Sequence, residues 1–287
     1  MAGSFDPAAC LNGFHWKKKG PCGYYLPIVR VAVLYYHSPT MVIQAVLFDL
    51  GETLFNYGEV NVDAYFLQGA RLTYDYLRQL ADGNDKFPSF KKYHRRHVAS
   101  IKWHYFWSNV KNREFDCMAL LHKGAWNMGL SLEQEQLERL AWLWYQPLGE
   151  SAAIEADLAC HLQELSDMSL KLAIISNTFL PSLVLDRHLE RFDLLRFFPV
   201  RTYSSDTFFR KPDRRIYEIT LERLGVSAEA AVMVGDKLRE DVKGPARLGI
   251  KTVFKRGYNN RKKRVPSNVP VIDNIAELPA LIRDWQK

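Results

Sequence analysis

Six short apolar runs recur along this chain, separated by stretches with a helical repeat, and that alternation restricts the fold more than any other feature. The runs are Ile43–Phe48, Lys171–Ile175, Val200–Tyr203, Ala231–Val234, Lys251–Phe254 and Val269–Ile272. Helical patterns fall between them, for example over Arg214–Leu224 and Glu277–Trp285. Strands alternating with helices predict a parallel sheet, because parallel neighbours need a crossover and a helix is the usual one. More than a hundred residues separate the first two runs, far beyond an ordinary crossover. That stretch reads as helical and aromatic, with Trp103, Trp107, Trp126, Trp142 and Trp144. The expected fold is therefore α/β, with a parallel sheet core and an inserted all-helical cap domain. The core takes residues 41–56 and 149–287, and the cap residues 57–148.

The first forty residues scatter Gly, Pro and Cys without period and contain one short apolar run, Ile28 to Tyr36, interrupted by Arg30. That run is too short for a secretory signal and is followed by no clear small-residue cleavage site. The reading for residues 1–40 is a disordered extension, or a misassigned start with translation beginning at Met41. No window reaches the ~18 continuous apolar residues of a membrane span. The cysteines, Cys10, Cys22, Cys117 and Cys160, have no CxxC or zinc-ligand spacing, so a reduced, cytoplasmic protein with free thiols is expected.

The net charge of +7 is unevenly spread. Residues 86–113 hold eight Lys or Arg and no acid, and a second basic cluster runs through Lys255, Arg256 and Arg261 to Arg264. Local patches of this kind favour a small anionic ligand over a nucleic-acid track.

Four segments then decide the chemistry. Asp49-Leu50-Gly51-Glu52-Thr53 follows the first apolar run and Ser176-Asn177 the second. Lys211-Pro212 comes next, then Gly235-Asp236 with Asp241 five residues on. Each sits at a predicted strand end or in a loop, and ligands of open α/β sheets bind beyond the carboxyl ends of the strands. Taken singly these residues are commonplace: a strand-end Asp is usually a helix cap, and a Ser-Asn pair usually loop chemistry. Their joint order is what carries weight.

In that order the segments resemble motifs I to IV of the haloacid dehalogenase superfamily, with the long insert corresponding to its helical C1 cap. The resemblance covers residues 41–287. It implies a Rossmann-like core and a Mg²⁺-dependent hydrolase, most often a phosphatase cleaving a small phosphorylated metabolite through an aspartyl-phosphate. Asp49 would be the nucleophile, dividing one hard displacement into two easier ones. Lys211 would place a positive charge beside it, and Ser176 and Asn177 would hold the phosphoryl group. Asp49, the Gly51 carbonyl, Asp236 and Asp241 would hold the metal, which offsets repulsion between two anions.

One departure matters. Phosphatases of this family usually carry a second aspartate two residues after the nucleophile, as general acid and base; here that position is Gly51. Such a group contributes roughly 10²–10⁴-fold in rate. Glu52 or a cap histidine (His94, His97 or His104) are substitutes, or the substrate has a good leaving group. A phosphate-binding protein without turnover and a 2-haloacid dehalogenase are the alternatives; clustered acids at motif IV count against the second. The cap stretch Lys91, Lys92, Arg95, Arg96 and Lys102 reads as the polar side of an amphipathic helix, either a solvated face or a grip for an anionic substrate. Arg261 to Arg264, beside Asn259-Asn260, reads as a mobile surface loop.

Overall fold

The computed structural model describes residues 42–59, 61–83 and 86–287; the expectations for residues 1–40, and for Cys10 and Cys22, lie outside them. Six strands form one sheet: β1 (Ala45–Phe48), β2 (Lys171–Ser176), β3 (Val200–Tyr203), β4 (Ala231–Gly235), β5 (Lys251–Lys255) and β6 (Val271–Ile272). The order is β3-β2-β1-β4-β5-β6 and every pairing is parallel. All six strands overlap the apolar runs, because a central parallel strand is covered on both faces and leaves no room for polar side chains.

The pleat divides those side chains between two cores. Val46, Phe48, Ile174, Val232 and Val234 enter the larger one, with Leu162 of α5 (Leu158–Asp167), Leu185 of α6 (Ser182–Arg191) and Ile282. Ala45, Leu47, Ala173, Ile175 and Met233 meet Ile216, Tyr217 and Leu221 on the opposite face. Each full burial of a Val, Leu, Ile, Phe or Met side chain among them stabilises the fold by about 1.5–3 kcal/mol. The helices therefore lie on both sides of the sheet, as the Rossmann-like reading requires.

Four helices occupy the long insert: α1 (Val62–Leu80), α2 (Phe90–Lys111), α3 (Cys117–Trp126) and α4 (Gln134–Ser151). Asn61 caps α1 by accepting from Ala64 N–H, and Asp116 caps α3 by accepting from Ala119 N–H. The α1–α4 contact is close enough that only a glycine fits at position 69, where a Cβ would come 2.5 Å from the Trp144 carbonyl. Helix α4 runs to Ser151, three residues past the boundary expected at 148.

Two short helices, α7 (Ser204–Thr207) and α9 (Gly244–Ala246), flank α8 (Arg214–Leu224), and α10 (Leu278–Trp285) closes the chain. Helix α8 begins at Asp213, whose side chain accepts from Arg215 N–H, and stops at Gly225 in the left-handed conformation (φ 64°). Among the described residues no helix is long and apolar enough to cross a membrane.

Candidate active site

The sheet register brings the four segments together. Phe48 is level with Ile174 of β2 and Val234 of β4, so the next residue of each strand reaches the same edge. Asp49 N–H donates to the Val234 carbonyl at 2.9 Å, which fixes the first carboxylate beside Gly235-Asp236. A π-helical turn at Leu238–Lys243 then carries Asp241 back over the end of β4. Lys237 N–H donates to Asp241 Oδ2 at 2.9 Å, and Asp241 N–H to the Lys237 carbonyl at 2.7 Å. Gly235 is obligatory there: a Cβ would sit 2.5 Å from Asp241 Cβ.

Asp49, Asp236 and Asp241 are all buried, and one carboxylate oxygen from each lies within 4.8 Å of the others. Lys211 Nζ stands between two of them, 2.6 Å from Asp49 Oδ1 and 2.6 Å from Asp241 Oδ1. Burial alone would lower the lysine's pKa, but Asp241 and Asp49 hold it above its ordinary value. Burial, with Asp49 close by, pushes Asp236 up to about 7. Burial pushes Asp241 up to about 6 in spite of Lys211. Asp236 Oδ1 is buried and has no hydrogen-bond partner. An all-oxygen donor set, an excess of negative charge and an orphaned acceptor fit a small hard divalent cation.

Asn177 is placed differently from Ser176. Its Nδ2 donates to the Lys211 carbonyl at 2.8 Å and its Oδ1 accepts from Lys211 N–H at 2.7 Å. It thus ties the loop after β2 to the lysine's backbone. Ser176, buried at the end of β2, lines a cleft of about 380 Å³ together with Asp49, Gly51, Asn177 and Lys237. The insert contributes aromatic residues to the same cleft.

Lys237 escaped the sequence reading. Attraction to Asp49 foremost, then Asp236 and Asp241, raises its pKa against the effect of burial. Its only sequence signal is adjacency to Gly235-Asp236. Asn260, beside the expected surface loop, is 2% exposed, and its Nδ2 donates to the Asp236 carbonyl at 3.1 Å and the Lys255 carbonyl at 2.9 Å. The exposed Arg261 to Arg264 do follow it on the surface.

The substitutes for the missing acid fare poorly. Glu52 sits in the left-handed region (φ 61°), where glycine is the unstrained residue. It is half-buried, accepts from Tyr57 N–H at 3.3 Å and is not part of the cleft wall. Neither do His94, His97 or His104 line the cleft. His97 stacks on Tyr93 at 5.2 Å, and burial drops its pKa to about 4; His104 Nδ1 is 2.8 Å from the Ser100 carbonyl. Lys92, Arg95 and Arg96 are exposed on α2 and also stand outside the cleft wall, so they form a solvated face.

An α/β sheet in this order, with a helical insert after β1 and acids converging at the strand ends, defines a class of hydrolase. A family model for haloacid dehalogenase-like hydrolases matches residues 43–249, and the chain belongs to that family. It is 30% identical over 213 residues to the ribulose-1,5-bisphosphate 5-phosphatase of Halopiger xanaduensis, covering 73% of this chain and 83% of that one. It is 31% identical over 126 residues to the glyceraldehyde 3-phosphate phosphatase of Methanothermobacter thermautotrophicus, covering 42% of this chain and 55% of that protein. Among solved structures, a 2-haloacid dehalogenase from Pseudomonas syringae superposes with a TM-score of 0.57. The match covers 85% of this chain and 100% of that one at 21% identity, a likeness of fold alone.

Proposed function

We propose that this hydrolase is a Mg²⁺-dependent phosphatase that cleaves a small phosphorylated substrate through an aspartyl-phosphate on Asp49. The observation that carries the reading is the Asp49–Asp236–Asp241 cluster with Lys211 between two of its members. Its similarity to two phosphatases that act on small phosphate esters supports the same conclusion.

The residues divide the work as follows. Asp49 attacks phosphorus, with the Lys211 ammonium 2.6 Å from its Oδ1. Asp49, the Gly51 carbonyl, Asp236 and Asp241 hold Mg²⁺, which when bound neutralises charge on the phosphoryl oxygens. Ser176 and the amides after it bind the phosphoryl group, while Asn177 keeps Lys211 in place. Lys237 adds a second positive charge at the cleft floor. Residues 57–148 act as the cap that selects the substrate. Clustered carboxylates count against halide displacement by a metal-free Asp49, since like charges that close repel unless a cation lies between them.

With glycine at position 51 no side chain at that position protonates the leaving oxygen, at a cost of about 3–5 kcal/mol in barrier. The rate should therefore depend steeply on leaving-group acidity. The test is phosphate release from a panel of esters with and without Mg²⁺, with Asp49→Asn as control. Mg²⁺-dependent release lost in Asp49→Asn supports the proposal; release that survives in that variant contradicts it.

A further inference from the structure

The cleft above Asp49 is walled by rings. Phe66 of α1 and Trp144 of α4 tilt against each other with centroids 5.2 Å apart. Tyr105 of α2 meets Phe179, on the loop after β2, edge-on at 6.4 Å. All four line the cleft. Phe179 also stacks on Phe115 at 5.2 Å and Trp144 meets His97 edge-on at 4.6 Å. The ring surface left open is that of Tyr105, 47% exposed, and of the partly exposed Phe66 and Phe179, and such surface takes a further aromatic group stacked or edge-on.

Charge is scarce in the same wall. Its charged members are Asp49, Arg210, Lys237 and Glu240. Arg210 pairs with the buried carboxylate of Glu114 through Nη1, and its Nη2 donates to Asn109 Oδ1 at 3.2 Å. Lys237 is attracted by Asp49 foremost, with Asp236 and Asp241. Arg210 is thus already paired, and Lys237 belongs electrostatically to the aspartate end of the cleft. A second phosphate or carboxylate at the far end of a substrate would meet rings rather than a waiting positive charge.

Gly51 supplies an independent constraint, because no side chain there donates a proton to the departing oxygen. A phenol ionises near pH 10, whereas water, a guide to an aliphatic alcohol, needs about 15.7. An aryl oxygen can therefore leave as the anion, where an alkyl oxygen needs help.

Building on the phosphatase reading, we propose that the substrates are monophosphate esters of flat aromatic alcohols without a second charged group. The ring sits against Phe66, Trp144, Tyr105 and Phe179, and the phosphoryl group reaches the aspartates. Asp49 forms a bond to phosphorus as the P–O(aryl) bond breaks. The electron pair leaves on the aryl oxygen, which takes its proton from solvent. Water then cleaves the aspartyl-phosphate, so that ester and water become phenol and phosphate.

The test compares kcat/KM of the full chain in Mg²⁺ for 1-naphthyl phosphate, phenyl phosphate, a triose phosphate, a sugar bisphosphate and acetyl phosphate. The two aryl esters differ in area far more than in leaving-group acidity, so naphthyl above phenyl, and both above the two sugar esters, is the expected order. Tyr105→Ala changes a rim residue that is 47% exposed, and so is tolerated by the fold. It and Phe179→Ala should lower kcat/KM for the naphthyl ester about three- to tenfold more than for acetyl phosphate. Equal losses on both compounds, or a sugar ester preferred over the naphthyl ester, overturn the aromatic assignment while leaving Asp49-dependent hydrolysis standing. Release from no ester, or at the same rate from Asp49→Asn, overturns the phosphatase reading and this one with it.

Discussion

The Lys211 ammonium lies 2.6 Å from Asp49 Oδ1, in a pair that is almost wholly enclosed. The same nitrogen is 2.6 Å from Asp241, so one cation separates two buried carboxylates. Removing one member of such a group leaves uncompensated charge in the interior, typically at a cost of about 3–5 kcal/mol. Lys211→Met should destabilise the protein by about that amount in urea unfolding and abolish measurable turnover. The stability loss should shrink in saturating Mg²⁺, which takes over part of the neutralisation. An unchanged urea midpoint without Mg²⁺ would contradict the pairing.

The same cluster makes stability depend on pH. Burial, aided by Asp49, pushes Asp236 up to about 7, and burial pushes Asp241 up to about 6. Both lie above the ~3.9 of an unfolded aspartate. The folded protein therefore binds protons that the unfolded chain has lost, and their contribution is complete below about pH 4. It is lost as the pH rises through about 6 and 7. In EDTA, the urea midpoint should fall between pH 5 and pH 8. Mg²⁺ binds the ionised carboxylates and should restore the midpoint at pH 8 with little effect at pH 5. A midpoint that rises over this range in EDTA would count against the cluster.

Gly51 has room for a side chain: a Cβ there would meet only Tyr57 Cε2, at 3.7 Å. Its φ is not in the left-handed region, so a substitution is not strained. Gly51→Asp should restore a general acid and speed alkyl phosphate hydrolysis by up to roughly 10²–10⁴-fold. Aryl phosphates should gain much less. The comparison of kcat on the two classes checks this, and an equal gain on both would show that acid catalysis is not what the glycine removed.

Asn177 holds the backbone of Lys211 at both its N–H and its carbonyl, at 2.7 and 2.8 Å. Asn177→Ala should cost about 1–3 kcal/mol of stability, two hydrogen bonds at ~0.5–1.5 kcal/mol each. A lysine displaced by a fraction of an ångström should lower kcat roughly 10- to 100-fold with little change in KM. If Asn177 bound substrate instead, KM would rise and kcat would hold.

The strands were legible because burial on both faces demands apolar runs, and β1 to β6 overlap those runs. Helix α8 was legible to the residue, since Asp213 and Gly225 mark its ends. The convergence of the aspartates and Lys211 was legible because each sits where a strand or loop delivers it to one edge. Lys237 and Asn260 were not, since neither has a local pattern: one is placed by the π-helical turn and the other by a loop folding back under Asp236. The basic face of α2 was visible, but which way it points depends on the packing of α1 and α4, and that packing turns Tyr105 rather than Arg95 to the cleft. The contact of Asn177 with the Lys211 backbone was similarly hidden, because the two are 34 residues apart in sequence.

The central claim is that Asp49 carries the phosphoryl group. The most direct measurement is the intact mass and peptide map of protein quenched in acid during turnover of an aryl phosphate. The account predicts one added phosphoryl group on the peptide containing Asp49, absent from Asp49→Asn. Steady turnover with no phosphoryl-protein, or with the label on another residue, would contradict it.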